Sequence, residues 1–310
     1  MTAGRVLVVG DVINDILVEP RSGIVAGDDN PASVRVRPGG SAANQAAWLG
    51  SLGVDVLFAG RAGAADAELH RAELARFGVT VRLAADSTVG TGSIVVLVGA
   101  DGERTMITDR GANLRLGVAD VPADLLDGAA LLHLTGYTLI DPGQRAVALG
   151  LIAQARRRKV PVSVDPGSAA FLAALEPGAF LDWTRGAAVC FPNLDEARVL
   201  AGEAGPEADP EVMAARLARH YGVVAMKLGP AGALLATPGA EPEGFPAHPA
   251  VVRDTTGAGD AFCAGFLAAW LSGTTLAGAV KAGTRAAAEA VSLLGGRPGN
   301  SRQGIPEVDY

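Results

Sequence analysis

Asp254-Thr255-Thr256-Gly257-Ala258-Gly259-Asp260-Ala261-Phe262-Cys263-Ala264-Gly265 joins two carboxylates, a compact glycine turn and the start of an apolar helix. Phe262, Phe266 and Trp270 recur every four positions, so three large rings share one face of a helix that must be buried. Gly273 lies just past its expected end. The turn Gly257-Ala258-Gly259 therefore falls where the first N–H groups of a helix lack intrahelical acceptors and the dipole is positive, which makes an anion site. Asp260 sits in the first turn beside it. A hydroxyl held between them can lose its proton to Asp260 while it attacks phosphorus, which is phosphoryl-transfer chemistry. An acidic residue placed for the helix dipole beside an ordinary turn accounts for the local pattern equally well. Other phosphate motifs do not fit. The sixth position from Gly257 is Phe262 rather than the Gly or Ala of a dinucleotide fingerprint, and Gly-Lys occurs nowhere in the chain. Val224-Ala225-Met226-Lys227 has no His-Arg-Asp or Asp-Phe-Gly downstream.

Outward from this stretch, short apolar runs at 6–9, 54–58, 131–134, 160–164, 187–191 and 223–228 alternate with helical patterns at 42–52, 68–77, 144–158, 211–220, 257–271 and 276–294. That alternation predicts an α/β fold, a mainly parallel sheet covered on both faces by helices. Two stretches break it: 16–36, and 91–108, where Asp101-Gly102 separates two strand-like runs and predicts a hairpin. Together they suggest a small β lid, spanning about 12–38 and 90–110, over the carboxyl edge where open α/β sheets bind ligands. The expectation is a single domain over residues 1–310 that includes this lid.

Composition narrows the functions. At 310 residues and 49% hydrophobic the chain can bury a large core. No run approaches the eighteen or so apolar residues that cross a bilayer, and a strand starting near the N-terminus leaves no room for a secretory signal, so a cytoplasmic protein with no membrane partner is expected. A net charge of -7 disfavours nucleic acid as a partner. Cys190 and Cys263 lie in apolar contexts and imply no disulfide, and His70, His133, His220 and His248 show no metal-ligand spacing.

Three further constellations carry chemistry. Pro38-Gly39-Gly40-Ser41-Ala42-Ala43-Asn44-Gln45 opens a helix after the first lid strand; its paired glycines allow a ligand close to the backbone, and Asn44 either points an amide at a hydroxyl or is solvated. Gly10-Asp11-Val12-Ile13-Asn14-Asp15 ends the first strand at the same edge, where Asp15 can bind a pair of sugar hydroxyls. Asn193-Leu194-Asp195-Glu196 reads as a helix cap with Glu196 in the capping-box position, or as an amide and a carboxylate holding water ligands of Mg²⁺.

Taken in order, Gly39-Gly40-Ser41-Ala42-Ala43-Asn44 and Asp254 through Phe262 make the chain resemble, over essentially its whole length, the ribokinase-like carbohydrate kinases of the phosphofructokinase-B type. The resemblance implies a ribokinase-like doubly wound sheet with a β lid, use of ATP and Mg²⁺, and phosphorylation of a primary hydroxyl of a sugar. It implies Asp260 as catalytic base, with Gly257, Ala258 and Gly259 forming an anion hole for the transferred phosphoryl group. By the same likeness Asp15, Gly39, Gly40 and Asn44 hold the sugar, and Asn193 and Glu196 serve Mg²⁺ and phosphate. Lys227, Gly229 and Gly232 lie beside the nucleotide. Asp254, the Thr256 carbonyl and Gly295 form a monovalent-cation site, for K⁺. Ribokinases proper resemble Gly-Gly-Lys-Gly-Ala-Asn where this chain has Ser41 and Ala42, and their Asn falls at Ile13 here, with Asn14 one position on, so ribose is not singled out. Arg110 leaves the lid toward the site, either to meet an acidic substrate such as a keto-deoxy sugar acid or to pair with Asp109 or another neighbour. A nucleoside substrate is less favoured because few aromatic residues fall in the lid, although Phe58, Tyr137 and Phe171 can fold in. A ligand-binding or regulatory relative without catalysis is the alternative from another class. The lid's free strand edge lets a second copy pair and form a homodimer.

Overall fold

The computed structural model describes residues 4–98, 104–176, 178–203, 205 and 207–299. The expected Asp101-Gly102 turn lies outside the described residues. Among those described, the strands are β1 (Arg5–Val9), β2 (Ile13–Pro20), β3 (Ala32–Gly39), β4 (Val56–Gly63), β5 (Thr80–Asp86), β6 (Thr91–Val98), β7 (Arg104–Gly111), β8 (Ala129–Thr135), β9 (Val162–Asp165), β10 (Val189–Cys190), β11 (Val223–Lys227), β12 (Ala233–Ala236) and β13 (Glu243–Phe245).

One sheet runs β13-β12-β11-β10-β9-β8-β1-β4-β5, parallel from β11 to β5 and antiparallel at its β11-β12-β13 end. The residues of β1 show why it is covered on both faces. Val6 and Val8 point into one apolar layer with the helices Ser41–Ser51, Ala258–Leu271 and Leu276–Val291, whereas Leu7 and Val9 point into the other, with Pro142–Arg157 and Pro210–Leu217. Strand side chains alternate between faces, so a continuous Val-Leu-Val-Val run needs two cores. Phe262 and Phe266 are buried as their spacing predicts and meet Phe191 edge to face at 6.4 and 5.2 Å, each pair adding about 0.5–1.5 kcal/mol beyond its burial. Trp270, in the last turn of that helix, is only half-buried.

The second sheet, β3-β2-β6-β7, is formed by the two stretches that broke the alternation. Its β3 and β7 edges leave Val34, Val36, Met106 and Ile107 exposed. Strands β5, β12 and β13 were not anticipated. They lie at the two ends of the large sheet, where β5 mixes buried with exposed positions and so lacks the apolar run that marks a central strand. Chain order reverses between β8 and β1, the place where open α/β sheets bind ligands beyond their carboxyl ends. Asp11 after β1 and Thr135 at the end of β8 meet there, with the Thr135 hydroxyl donating to Asp11 at 3.3 Å.

Candidate active site

Asp260 lies in the first turn of the helix Ala258–Leu271, whose cap, Gly257, takes a left-handed conformation (φ 75°). Glycine is required there twice over: the positive φ disfavours a side chain, and a Cβ would stand 2.4 Å from the Cα of Gly296. The helix Ser41–Ser51 packs against this first turn and brings three donors to one carboxylate. Ser41 Oγ and Gln45 Nε2 donate to Asp260 Oδ1 at 2.7 and 3.0 Å, and Asn44 Nδ2 donates to Oδ2 at 3.2 Å. Asn44 is thus buried against Asp260 rather than solvated. Burial and the negative charge of Asp165 push the Asp260 carboxyl up to about 7, against the pull of the three hydrogen bonds.

Asp165, at the carboxyl end of β9, accepts from Gln45 Nε2 at 2.8 Å and from Lys227 Nζ at 2.9 Å. Lys227 ends β11 beneath Gly259, with Nζ 3.5 Å from where a Cβ on that glycine would stand. Burial alone would loosen the Lys227 proton, but Asp165 and other nearby acidic groups outweigh it and hold the ammonium charged. Its ammonium is paired with Asp165 and lies 3.9 Å from Cys263 Sγ. Gly229 and Gly232 follow it, flanking the turn into β12.

The residues expected to hold the sugar gather at the N-terminus of the helix Ser41–Ser51. Gly39 ends β3 directly beneath Asp15: a Cβ there would lie 2.1 Å from Asp15 Oδ2, so the carboxylate occupies the space glycine leaves. Burial pushes Asp15 up to about 6, with Asp11 and Asp254 adding to the shift and Arg297 opposing it. Gly40 caps the helix, and Asp11 takes over the role of its cap side chain by accepting from the Ser41 and Ala42 N–H groups at 3.1 and 3.2 Å. Asn14 points elsewhere, donating to Asp66 at 2.6 Å and meeting His70 at 3.0 Å.

Two arginines enter this region. Arg110 does not pair with Asp109, which instead accepts from the Gly111 N–H. Its Nη1 lies 3.7 Å from Asp11, its guanidinium stacks 4.5 Å above the Tyr137 ring, and its buried Nη2 has no partner among the described residues. Arg297 donates to Asn44 Oδ1 and to the Gly39 carbonyl, both at 3.4 Å, and its buried Nη1 is likewise without a partner among the described residues. Tyr137 packs edge-on with Phe171, whereas Phe58 is fully buried in the core.

The cation and Mg²⁺ candidates are locally well held. Asp254 Oδ1 accepts from the Thr256 N–H and hydroxyl at 2.9 and 2.7 Å, and Oδ2 accepts from the Gly295 N–H at 2.9 Å. Gly295 thus orients the carboxylate through its N–H. Asn193 and Glu196 form the full capping box: Asn193 Oδ1 accepts from the Glu196 N–H, while both Glu196 oxygens accept from Asn193, all at 2.8 Å. Burial pushes Glu196 up to about 7 despite the charge of Lys227.

Sequence reasoning missed Ser41, Gln45, Asp165, Asp11 and Arg297 as members of this cluster. Asp165 carried a usable signal, a lone carboxylate closing the buried run Val162-Ser163-Val164 at the carboxyl edge. Gln45 did not, since only packing reveals that it is buried among alanines.

The model of the pfkB family carbohydrate kinases matches residues 3–302. An ATP-dependent ribose-1-phosphate kinase of Halopiger xanaduensis is 32% identical over 279 residues, covering 86% of this chain and 85% of that protein. Arabidopsis thaliana ribokinase, solved with ribose and ATP, superposes with a TM-score of 0.80 at 26% identity, covering 96% of this chain and 97% of that one. Adenosine kinase from Sinorhizobium meliloti superposes with a TM-score of 0.82 at 26% identity, covering 96% of each chain.

Proposed function

Because the chain belongs to the pfkB family of carbohydrate kinases, we propose that it transfers the γ-phosphoryl group of ATP to a primary hydroxyl of a sugar, with Asp260 as the base that takes the hydroxyl proton. One observation carries the assignment of the base: Asp260 is held by three donors at the mouth of a glycine-capped helix, with its proton affinity raised to about 7. A carboxylate so tuned is ionised near neutrality and basic enough to accept a proton as the oxygen attacks. The N–H groups of Gly257, Ala258 and Gly259, at the positive end of the helix, face the charge that develops on the phosphoryl oxygens. Asp15, Gly39, Gly40 and Asn44 orient the sugar so that its hydroxyl meets Asp260.

Asn193 and Glu196 would serve Mg²⁺, whose chemistry is to neutralise charge on the phosphates. Both Glu196 oxygens already accept from Asn193, which suits contact through water better than direct ligation. Asp254, anchored by three donors, offers an anionic oxygen next to the Thr256 carbonyl, a donor set suited to K⁺. Gly229 and Gly232 border the nucleotide side of the cleft. The sheet β3-β2-β6-β7 acts as a lid that closes on the acceptor and excludes water, within a single kinase domain. Its exposed Val34, Val36, Met106 and Ile107 support pairing of two copies into a homodimer. Two buried free cysteines suit the cytoplasm, and the acidic net charge suits neither nucleic acid nor an anionic membrane as partner.

A second reading concerns the acceptor. The buried nitrogens of Arg110 and Arg297 that have no partner among the described residues favour a sugar that carries a carboxylate or phosphate group, because a buried guanidinium donor left unmatched is costly. Release of ADP, measured across neutral sugars, sugar acids, sugar phosphates and nucleosides with and without K⁺, tests both readings. Turnover of an anionic sugar that falls on Arg297→Met, while ATP affinity holds, is the expected outcome. Binding without ADP from any acceptor would replace the kinase by a ligand sensor.

A further inference from the structure

Beneath Asp260 lies a buried polar bridge that the reaction as outlined does not use. Gln45 Nε2 donates both to Asp260 Oδ1 at 3.0 Å and to Asp165 Oδ2 at 2.8 Å, so one amide nitrogen links two carboxylates and keeps their oxygens within about 6 Å, where like charges couple. The amide has only one workable orientation, because a flip would aim its oxygen at both anions. That orientation is fixed from behind: Gln45 Oε1 meets His133 Nε2, and His133 Nδ1 meets Ser163 Oγ at 2.7 Å. His133 is fully buried and pushed down to about 4, so it is neutral; donation to Gln45 places its proton on Nε2 and leaves Nδ1 to accept from Ser163. Asp165 in turn is paired at 2.9 Å with Lys227, and Cys263 lies against both.

We propose that Gln45 and Asp165 are positioning residues for the base: Gln45, oriented by His133, holds the Asp260 carboxylate, and Asp165, with Lys227 as its counter-charge, sets how tightly Asp260 holds its proton. The functional meaning rests on Asp260 as the base; the effect on its proton affinity does not. The groups facing Asp260 from the surrounding elements are Ser41, Asn44 and Gln45 on the helix Ser41–Ser51, Asp165 on β9, Lys227 on β11, Tyr137 after β8, and Cys263 on its own helix. Of these only Asp165 is a second carboxylate joined to Asp260 through a shared donor. Loss of the Asp165 charge must therefore lower the proton affinity of Asp260, and loss of the Gln45 donor must raise it. Residues that merely filled space would not move it in opposite directions.

The test is the titration of Asp260 in the ligand-free protein, followed by the ¹³Cγ shift of labelled aspartate, with Asp260→Asn identifying the resonance; the acid limb of kcat/KM is read in parallel. Asp165→Asn should lower the midpoint by about one pH unit or more, a tenfold or larger loss of proton affinity. Gln45→Met, close in volume, should raise it by about half a unit or more. If Asp165→Asn fails to fold because Lys227 is left unpaired, the charge-balanced Asp165→Asn/Lys227→Met should still lower the midpoint. Midpoints that stay put, or that move the same way in the Gln45 and Asp165 variants, overturn the proposal. Normal turnover in Asp260→Asn with the predicted titration shifts would instead remove the base assignment and leave the bridge intact.

Discussion

If Asp260 takes the hydroxyl proton, its titration must appear in the rate. The carboxyl stands at about 7 because burial and Asp165 raise it more than Ser41, Gln45 and Asn44 lower it. At about one pH unit below that value only about a tenth of the molecules carry the carboxylate, so kcat/KM should fall about tenfold per unit on the acid side and level off above about pH 8. The sign follows from the ionised form being the active one. Asp260→Asn, nearly isosteric, should lower kcat by roughly two to four orders of magnitude and flatten this limb, while calorimetric titration still shows ATP binding. The assay is coupled ADP release over about pH 5.5 to 9, with acceptor and ATP varied separately. A flat profile, or an Asn variant that keeps both rate and slope, would remove Asp260 from proton transfer.

Further outcomes can be checked with simple variants. Asn44→Ala removes a donor to Asp260 and the acceptor of Arg297, so kcat and acceptor KM should both suffer while ATP affinity is unchanged; a KM effect alone would confine Asn44 to sugar binding. Trp48→Phe leaves the Gly296 carbonyl without its buried donor at 3.0 Å and should cost about 1–3 kcal/mol in denaturant unfolding; an unchanged midpoint and slope would mean that the carbonyl finds another partner. Asp15 has a folded-state value of about 6, above its ordinary one, so its favourable contribution is complete below about pH 4 and is lost as pH rises through 6. Asp15→Asn should therefore melt slightly above the parent at about pH 8, by about 2 °C given solvent screening at a half-buried group, and no differently at about pH 4. Equal melting at both pH values would show that Asp15 is not perturbed.

The large sheet was legible because buried parallel strands and amphipathic helices leave two different periods in the sequence, as in 6–9 against 258–271. The strands toward the two ends of that sheet were not, since β12 and β13 are only four and three residues long and β5 is half-exposed, so each carries little of that pattern. In the site, Asp260 stood out through its glycine turn, a local signal. The partners that tune it come from far along the chain: Gln45, Asp165 and Arg297 become neighbours only once both helix layers have closed over the sheet. Asn193 and Glu196 show the converse, for their spacing foretold the capping box, which is formed in full.

The short loop Gly295-Gly296-Arg297 gathers more than its length suggests. Gly295 holds Asp254, Gly296 abuts Gly257 and accepts from Trp48, and Arg297 reaches Gly39 and Asn44. It therefore acts as a clasp across segments separated by more than two hundred residues, and a single proteolytic nick between the helix Leu276–Val291 and Gly295 would release the proposed cation, phosphoryl and acceptor sites together. Nicked protein should lose turnover in step with cleavage, with no partly active species that binds one substrate normally and not the other.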